Sequence, residues 1–193
     1  MSKRIALLTA AAFGALALTA TVVAPVNAQD KMTKSELSGE KTVMVGGAAM
    51  FPSKNIIQNA VNSKDHTTLV AAVKAAGLVT TLEGKGPFTV FAPTNAAFAK
   101  LPAGTVDTLV KPENKATLTK ILTYHVVAGK LEASDLTDGK KLKTVQGEEL
   151  TVKRSGDTVM IIDSKGGSST VTIPNVNQSN GVIHVVDTVL MPS

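Results

Sequence analysis

Between Gly86 and Pro102 the chain changes its hydrophobic period with no spacer. Phe88, Val90 and Ala92 alternate with Thr89 and Phe91, the pattern of a strand buried on both faces. Pro93 has no N–H and cannot continue a central ladder. Thr94 or Asn95 can then cap a helix, a side-chain oxygen accepting from the free N–H groups of the first turn. Phe98 and Leu101 lie three apart and give that helix one apolar face. Pro102 ends it. Strand, capped turn and short helix thus arrive in one block that holds three of the five Phe residues of the chain. Phe91, at its centre, reads as core.

What surrounds this block is mostly aliphatic. The hydrophobic share is 44% and the aromatic share only 3%, with no Trp and one Tyr, so the core is built from Val, Leu, Ile and Ala. A chain of 193 residues suggests one domain with extensions. The net charge of +5 is mild, and the Lys and Arg residues are scattered without interleaved aromatics. Nucleic acid is therefore not an expected partner. There is no Cys, which rules out disulfides and thiolate chemistry.

The N-terminus has the marks of an export signal. Lys3 and Arg4 precede an apolar, Ala-rich run from Ile5 to Val23, and Val26-Asn27-Ala28 ends in a small residue. Residues 1–28 read as a secretory signal peptide cut after Ala28, leaving no stable membrane anchor and a secreted or periplasmic product. The competing reading is an uncut anchor through the same run. Residues 29–52 form a leader. It is polar and without period from Asp30 to Lys41, then apolar from Val43 to Pro52, where it packs on the domain as an arm or stands free as an interaction segment.

Residues 53–193 carry helical patterns first and strand patterns afterwards. Ile56, Ile57, Ala60 and Val61 have helical spacing, as do Leu69, Ala72, Val73 and Ala76, with Gly77 suited to the position after the helix. Leu78 to Leu82 adds a further turn. Thr105 can cap a short helix holding Val106 and Leu109, and Pro112 opens another with a stripe at Leu118, Ile121 and Leu122. That helix is expected to run into a strand at Tyr124 to Val127. Short strands are expected at 141–145, 150–154, 158–162, 170–173, 182–186 and 189–191, separated by turn clusters. Ser164 to Ser169 reads as the loosest inner loop. Helices followed by a meander indicate an α+β domain.

Three segments carry a resemblance. Thr89 to Phe98, including Phe91, Pro93, Thr94, Asn95 and Phe98, resembles the first signature motif of the fasciclin domain. Leu122 to Val127 resembles the family's tyrosine–histidine motif. Asn180 to Leu190, with Gly181, His184 and Asp187, resembles its second signature motif. The chain is similar to small secreted bacterial single-domain fasciclin proteins. The resemblance implies a two-sheet β-wedge with several helices along one edge, and work in adhesion. One departure is Asn95, where many members carry an acidic residue.

The residues themselves offer little catalytic pattern. The three His are His66, His125 and His184, and no HExxH, GxSxG or phosphate-binding loop is present. Two strand-borne His without a third ligand do not make a transition-metal site, so neither metal nor cofactor is expected. His66 opens an exposed-looking helix and reads as a surface residue. His125 has two readings. It is a buried imidazole bonded to the Thr94-Asn95 turn, or, with Tyr124, it marks a surface that meets a receptor. The favoured function is a secreted non-enzymatic binding module, meeting a protein or polysaccharide partner on cells, matrix or surface polymers. A periplasmic carrier or sensor of a small apolar ligand, held where the arm meets the domain, is the alternative. A hydrolase would need His125 or His184 beside a carboxylate.

Overall fold

The computed structural model describes residues 41–193. The expected signal peptide and the leader as far as residue 40 lie outside the described residues. The described chain begins with the arm, which is a hairpin: β1 (Val43–Val45) pairs antiparallel with β2 (Ala48–Met50), Val43 opposite Met50. Gly46 and Gly47 turn it with φ of +57° and +75°. Positive φ at both central positions suits glycine and matches the twist of a two-residue hairpin. Val45 and Met50 face inward, and Met44 is exposed. The hairpin is tied down by backbone and amide bonds. The Lys64 N–H donates to the Gly46 carbonyl, and Phe51 exchanges two hydrogen bonds with the Asn59 side chain.

Helices α1 (Ile56–Ala60), α2 (Thr67–Ala76) and α3 (Val79–Glu83) follow. Asn55 and Gln58 close a capping box on α1. α2 ends at Gly77, left-handed at φ +74°. After β3 (Phe88–Pro93) come α4 (Asn95–Ala99), α5 (Thr105–Leu109) and α6 (Lys115–Tyr124). The remaining strands are β4 (Val126–Ala128), β5 (Lys141–Lys143), β6 (Glu149–Ser155), β7 (Thr158–Ile162), β8 (Ser168–Gln178) and β9 (Gly181–Val186).

The fold is an α+β arrangement in which seven strands follow the order β4-β3-β9-β8-β7-β6-β5. β3 and β9 are parallel, with Phe91 opposite His184, and the other pairs are antiparallel. β8 belongs to both halves of the wedge. Ser168 to Thr170 pair with β7, and Val171 to Gln178 pair with β9 through two register shifts. A bridge between Val127 and Thr144 brings the two ends of the order together, so the sheet nearly closes.

Two cores result. One lies between the hairpin, the helices and the β3–β9 half, and holds Val90, Ala92, Ile183 and Val185. The other lies inside the sheet, with Phe91, Tyr124, Leu150, Ile161 and Val186. β3 stands between them and feeds alternate side chains to each, which is why its sequence is apolar on both faces.

Two expected strands take another form. Tyr124 is the last residue of α6, and His125 follows it as the C-cap with φ −82° and ψ −4°. The helical stripe Leu118, Ile121, Leu122 extends by one more step to His125, so the helix period outruns the short apolar pattern read as a strand. Val189 to Met191 joins no ladder. Its N–H groups go to side chains: Leu190 to His125, Met191 to Asp163.

Candidate functional site

The motif residues gather around the β3–β9 pair and the C-terminal end of α6. Gly181 opens β9 where the two parallel strands first meet. A Cβ there would run into the Phe88 carbonyl oxygen, and one on Gly86 would meet the Asn180 carbonyl. Backbones this close tolerate only glycine. The Phe88 N–H donates to Asn180 at 3.0 Å, and Asn180 Nδ2 reaches the Leu82 and Gly84 carbonyls, so the second motif closes on the loop before β3.

Pro93 ends β3. Thr94 Oγ1 accepts from the Ala97 N–H at 3.2 Å and caps α4, whose Phe98 is buried. Asn95 works in the other direction. Its Oδ1 accepts from the Thr68 N–H at 3.0 Å and from the Thr67 hydroxyl, while its Nδ2 donates to the Lys64 carbonyl at 2.8 Å. It therefore fastens the start of α2 to the first motif. A carboxylate could accept the first two bonds but could not donate the third.

His125 does not bond the Thr94-Asn95 turn. Its Nε2 accepts from the Leu190 N–H at 2.9 Å, and its Nδ1 donates to the Ile121 carbonyl at 2.8 Å. The backbone donor at Nε2 fixes the tautomer, with the proton on Nδ1. His125 is 2% exposed. Burial pushes its pKa down to about 4, against the Ile121 carbonyl and the Asp163 carboxylate, which favour the charged ring. The expected bond failed because His125 sits at a helix end and faces the segment after β9.

Tyr124 is fully buried, at 0% exposure. Its hydroxyl accepts from the Ser164 N–H at 2.8 Å and lies 3.5 Å from the Glu149 carbonyl. The expectation of a Tyr124–His125 contact surface meets a physical obstacle here: a partner resting on the folded domain touches neither ring. Helix geometry, not strand alternation, separates their surroundings. Tyr124 enters the sheet core and His125 lines a space on the helix side.

His184 stacks on Phe91 with ring centroids 5.7 Å apart. Its Nε2 donates to the Leu131 carbonyl at 2.8 Å and its Nδ1 faces the Asn175 N–H at 3.4 Å. Burial lowers its pKa. Asp187 accepts from the Thr170 N–H, the Thr188 hydroxyl and Lys100 Nζ. Burial works to raise its pKa, but these partners together hold it below the usual range. The Ser164 to Ser169 loop is closed from within, since Asp163 Oδ1 accepts from the Lys165 and Gly167 N–H groups. Both His125 and His184 thus spend their nitrogens on the backbone, and no group of three metal-capable side chains occurs among the described residues. The arrangement can hold strands and segments in register.

His66 corrects its reading as a surface residue. It closes a 3-10 turn (Lys64–His66), is 3% exposed, and lines the same space as Val45 and Met50 of the hairpin, which the sequence marks only as an apolar arm. The Gly46-Gly47 pair between two three-residue apolar runs was the signal for that hairpin.

A family model for the fasciclin domain matches residues 64–192. The chain belongs to the fasciclin domain family. Protein sll1483 of Synechocystis is 49% identical to this fasciclin chain over 153 residues, covering 79% of the chain and 82% of the relative. The immunogenic protein MPB70 of Mycobacterium bovis is 41% identical over 138 residues, covering 69% of the chain and 66% of the relative. The cell surface glycolipoprotein MPB83 of the same species is 40% identical, covering 77% and 64%. A FAS1 domain pair from the insect cell adhesion molecule fasciclin I has the same fold. Its TM-score is 0.65 at 19% identity, covering 73% of this chain and 52% of the pair.

Proposed function

We propose that this fasciclin protein is an exported, non-enzymatic adhesion module that binds a protein or polysaccharide on a cell or polymer surface. The family is known for adhesion-related roles, and two of the relatives are named for a cell surface and for immunogenicity. The observation that carries the reading is the use made of the motif residues. Tyr124, His125, His184 and Phe91 are all buried and turned to holding β3, β9, α6 and the final segment together. Recognition then falls to the outer faces, and the motif residues supply the rigid frame behind them.

Export follows from the N-terminal pattern, cleavage leaving Gln29 first. Among the described residues no helix is long and apolar enough to cross a membrane. The test is retention of the purified exported protein on immobilised envelope fractions, before and after protease or periodate treatment. Binding abolished by protease names a protein partner, and binding abolished by periodate names a polysaccharide. Retention no greater than that of an unrelated protein of matched charge refutes the proposal.

A further inference from the structure

The seven-strand order ends on β4 at one side and β5 at the other, and a single bridge, Val127 to Thr144, joins the two. There the Val145 N–H donates to the Val126 carbonyl at 2.7 Å. Beyond the bridge the strands part. The chain leaves β4 at Gly129, whose φ is +101°. Thr89 Oγ1 donates to the Gly129 carbonyl at 2.6 Å and accepts from the Leu131 N–H at 2.8 Å, so this stretch is fastened to β3 and not to β5. A groove of about 420 Å³ opens there, bounded by Ala128 and Leu131 on one side and by β5 on the other.

β5 turns alternate residues toward β6. The Gly139 N–H donates to the Val152 carbonyl, the Val152 N–H to the Lys140 carbonyl and the Thr144 N–H to the Glu148 carbonyl, and Leu142 lies opposite Leu150. In an antiparallel ladder the residues in between point their backbone groups the other way. The N–H groups of Lys141 and Lys143 therefore face the groove. Their side chains are exposed, while Leu142 is buried in the sheet core, against which Leu131 also packs. The groove lining holds Lys140, Lys141 and Lys143 and no carboxylate. Lys140 Nζ donates to the Asp135 carbonyl, Lys141 pairs with Glu149 on β6 at 3.4 Å, and Lys143 makes no ion pair among the described residues.

We propose that the free edge of β5 is a docking site for an extended acidic segment of a partner protein, which adds a strand beside Lys141 and Lys143. Main-chain hydrogen bonds to the edge supply affinity in this mode, and alternate side chains supply specificity. Residues directly opposite each other share a face of the sheet. Carboxylates of the segment therefore meet Lys141 and Lys143, and the residue between them turns inward to Leu131 and Leu142. The segment alternates acidic and apolar residues. A second copy of this chain is the wrong occupant, because its own β5 edge would set lysine against lysine. An acidic polysaccharide would meet the lysines but leave the backbone edge and the apolar floor unused. The site rests on the adhesion reading and specifies the protein partner within it.

The test titrates a capped hexapeptide of alternating valine and glutamate into isotope-labelled exported protein. The expected result is a saturable shift of the Lys141 and Lys143 amide signals. The same peptide with lysine in place of glutamate should not bind. The double variant Lys141→Gln, Lys143→Gln should bind about tenfold more weakly, both charge pairs being lost. N-methylation of alternate peptide residues should abolish binding in the phase that faces β5 and spare it in the other, a readout that needs no change in the protein if the double variant does not fold. Failure of the parent to saturate overturns the site. So does unchanged affinity in the folded double variant, or equal binding of both methylated phases. Polygalacturonate that binds at these lysines where the peptide does not overturns it in favour of an acidic polysaccharide. Retention on envelope fractions is measured on the same samples. Retention without peptide binding strikes this site and leaves the adhesion reading, and peptide binding without retention strikes the adhesion reading and leaves the site.

Discussion

Replacing His125 by glutamine should flatten the acid side of the stability profile by about 3 kcal/mol. The imidazole must be neutral in the folded chain, because its Nε2 accepts from the Leu190 N–H. A protonated ring has no acceptor left there. Its folded pKa stands near 4, against 6.5 in the unfolded chain. Between those two values the unfolded chain binds the extra proton, so stability rises with pH. The contribution is fully present above 6.5, declines as the pH falls below it, and is gone below about 4. The shift of roughly 2.5 units, at about 1.36 kcal/mol per unit, gives about 3 kcal/mol. His66 and His184 are shifted in the same direction by burial, and Asp187 is held below its usual range by its hydrogen bonds. All three add acid sensitivity of the same sign. They are present in both proteins, so a difference of differences removes them. Urea melts of parent and His125→Gln at pH 7 and pH 4, analysed with matched slopes, provide the four free energies. The parent should lose about 3 kcal/mol more than the variant between the two pH values. Equal losses would show that His125 is not held neutral by the fold, and the structural role given to it would fail.

Three further substitutions probe the frame around it. Phe91→Ala removes a fully buried ring from the sheet core and from its stack on His184, and should cost about 3–5 kcal/mol in a denaturant melt. A loss under about 1 kcal/mol would mean that the core closes over the gap or that the ring is not packed as described. Tyr124→Phe keeps the ring and strands the Ser164 N–H, and should cost about 1–2 kcal/mol with the near-ultraviolet environment otherwise retained. Asn95→Asp keeps the two acceptor bonds to Thr67 and Thr68 but gives up the donor to Lys64, so amide exchange should rise at the start of α2 and in the turn Lys64–His66 while α6 stays protected.

The block from Phe88 to Phe98 was legible because every local signal in it agrees. Two-faced apolar alternation, a Pro at the strand end, a Thr cap and a paired apolar face each point the same way, and the structure places β3, the capped turn and α4 there. β7 was legible as a short apolar run set off by the Ser155-Gly156-Asp157 turn and the Ser164 to Ser169 loop. β8 was not. Only 170–173 read as strand, because Pro174 and Asn175 look like breakers. The ladder carries them through the second of its two register shifts, between Ile173 and Val176, with Asn175 at φ +57°. The pairing of His125 with Leu190 could not be read either, since the two residues are 65 positions apart and nothing local in the sequence joins them. The burial of His66 was hidden because elements distant in sequence, β3 at Ala92 among them, stand beside its ring. Tyr124 and His125 show the limit of motif reading most clearly. The motif singled them out as a pair but read them into a strand, and only the packing shows a helix end with both side chains inside the domain.

The central claim is that Tyr124 and His125 act from inside, as frame rather than contact. The direct measurement is the affinity of Tyr124→Phe and His125→Gln for the envelope fraction that retains the parent, taken at pH 7 and normalised to the folded fraction from the melts of the same samples. The account predicts equal affinity per folded molecule for all three proteins. A variant that is as folded as the parent and no longer binds would contradict it, and would make that side chain part of the surface that meets the partner.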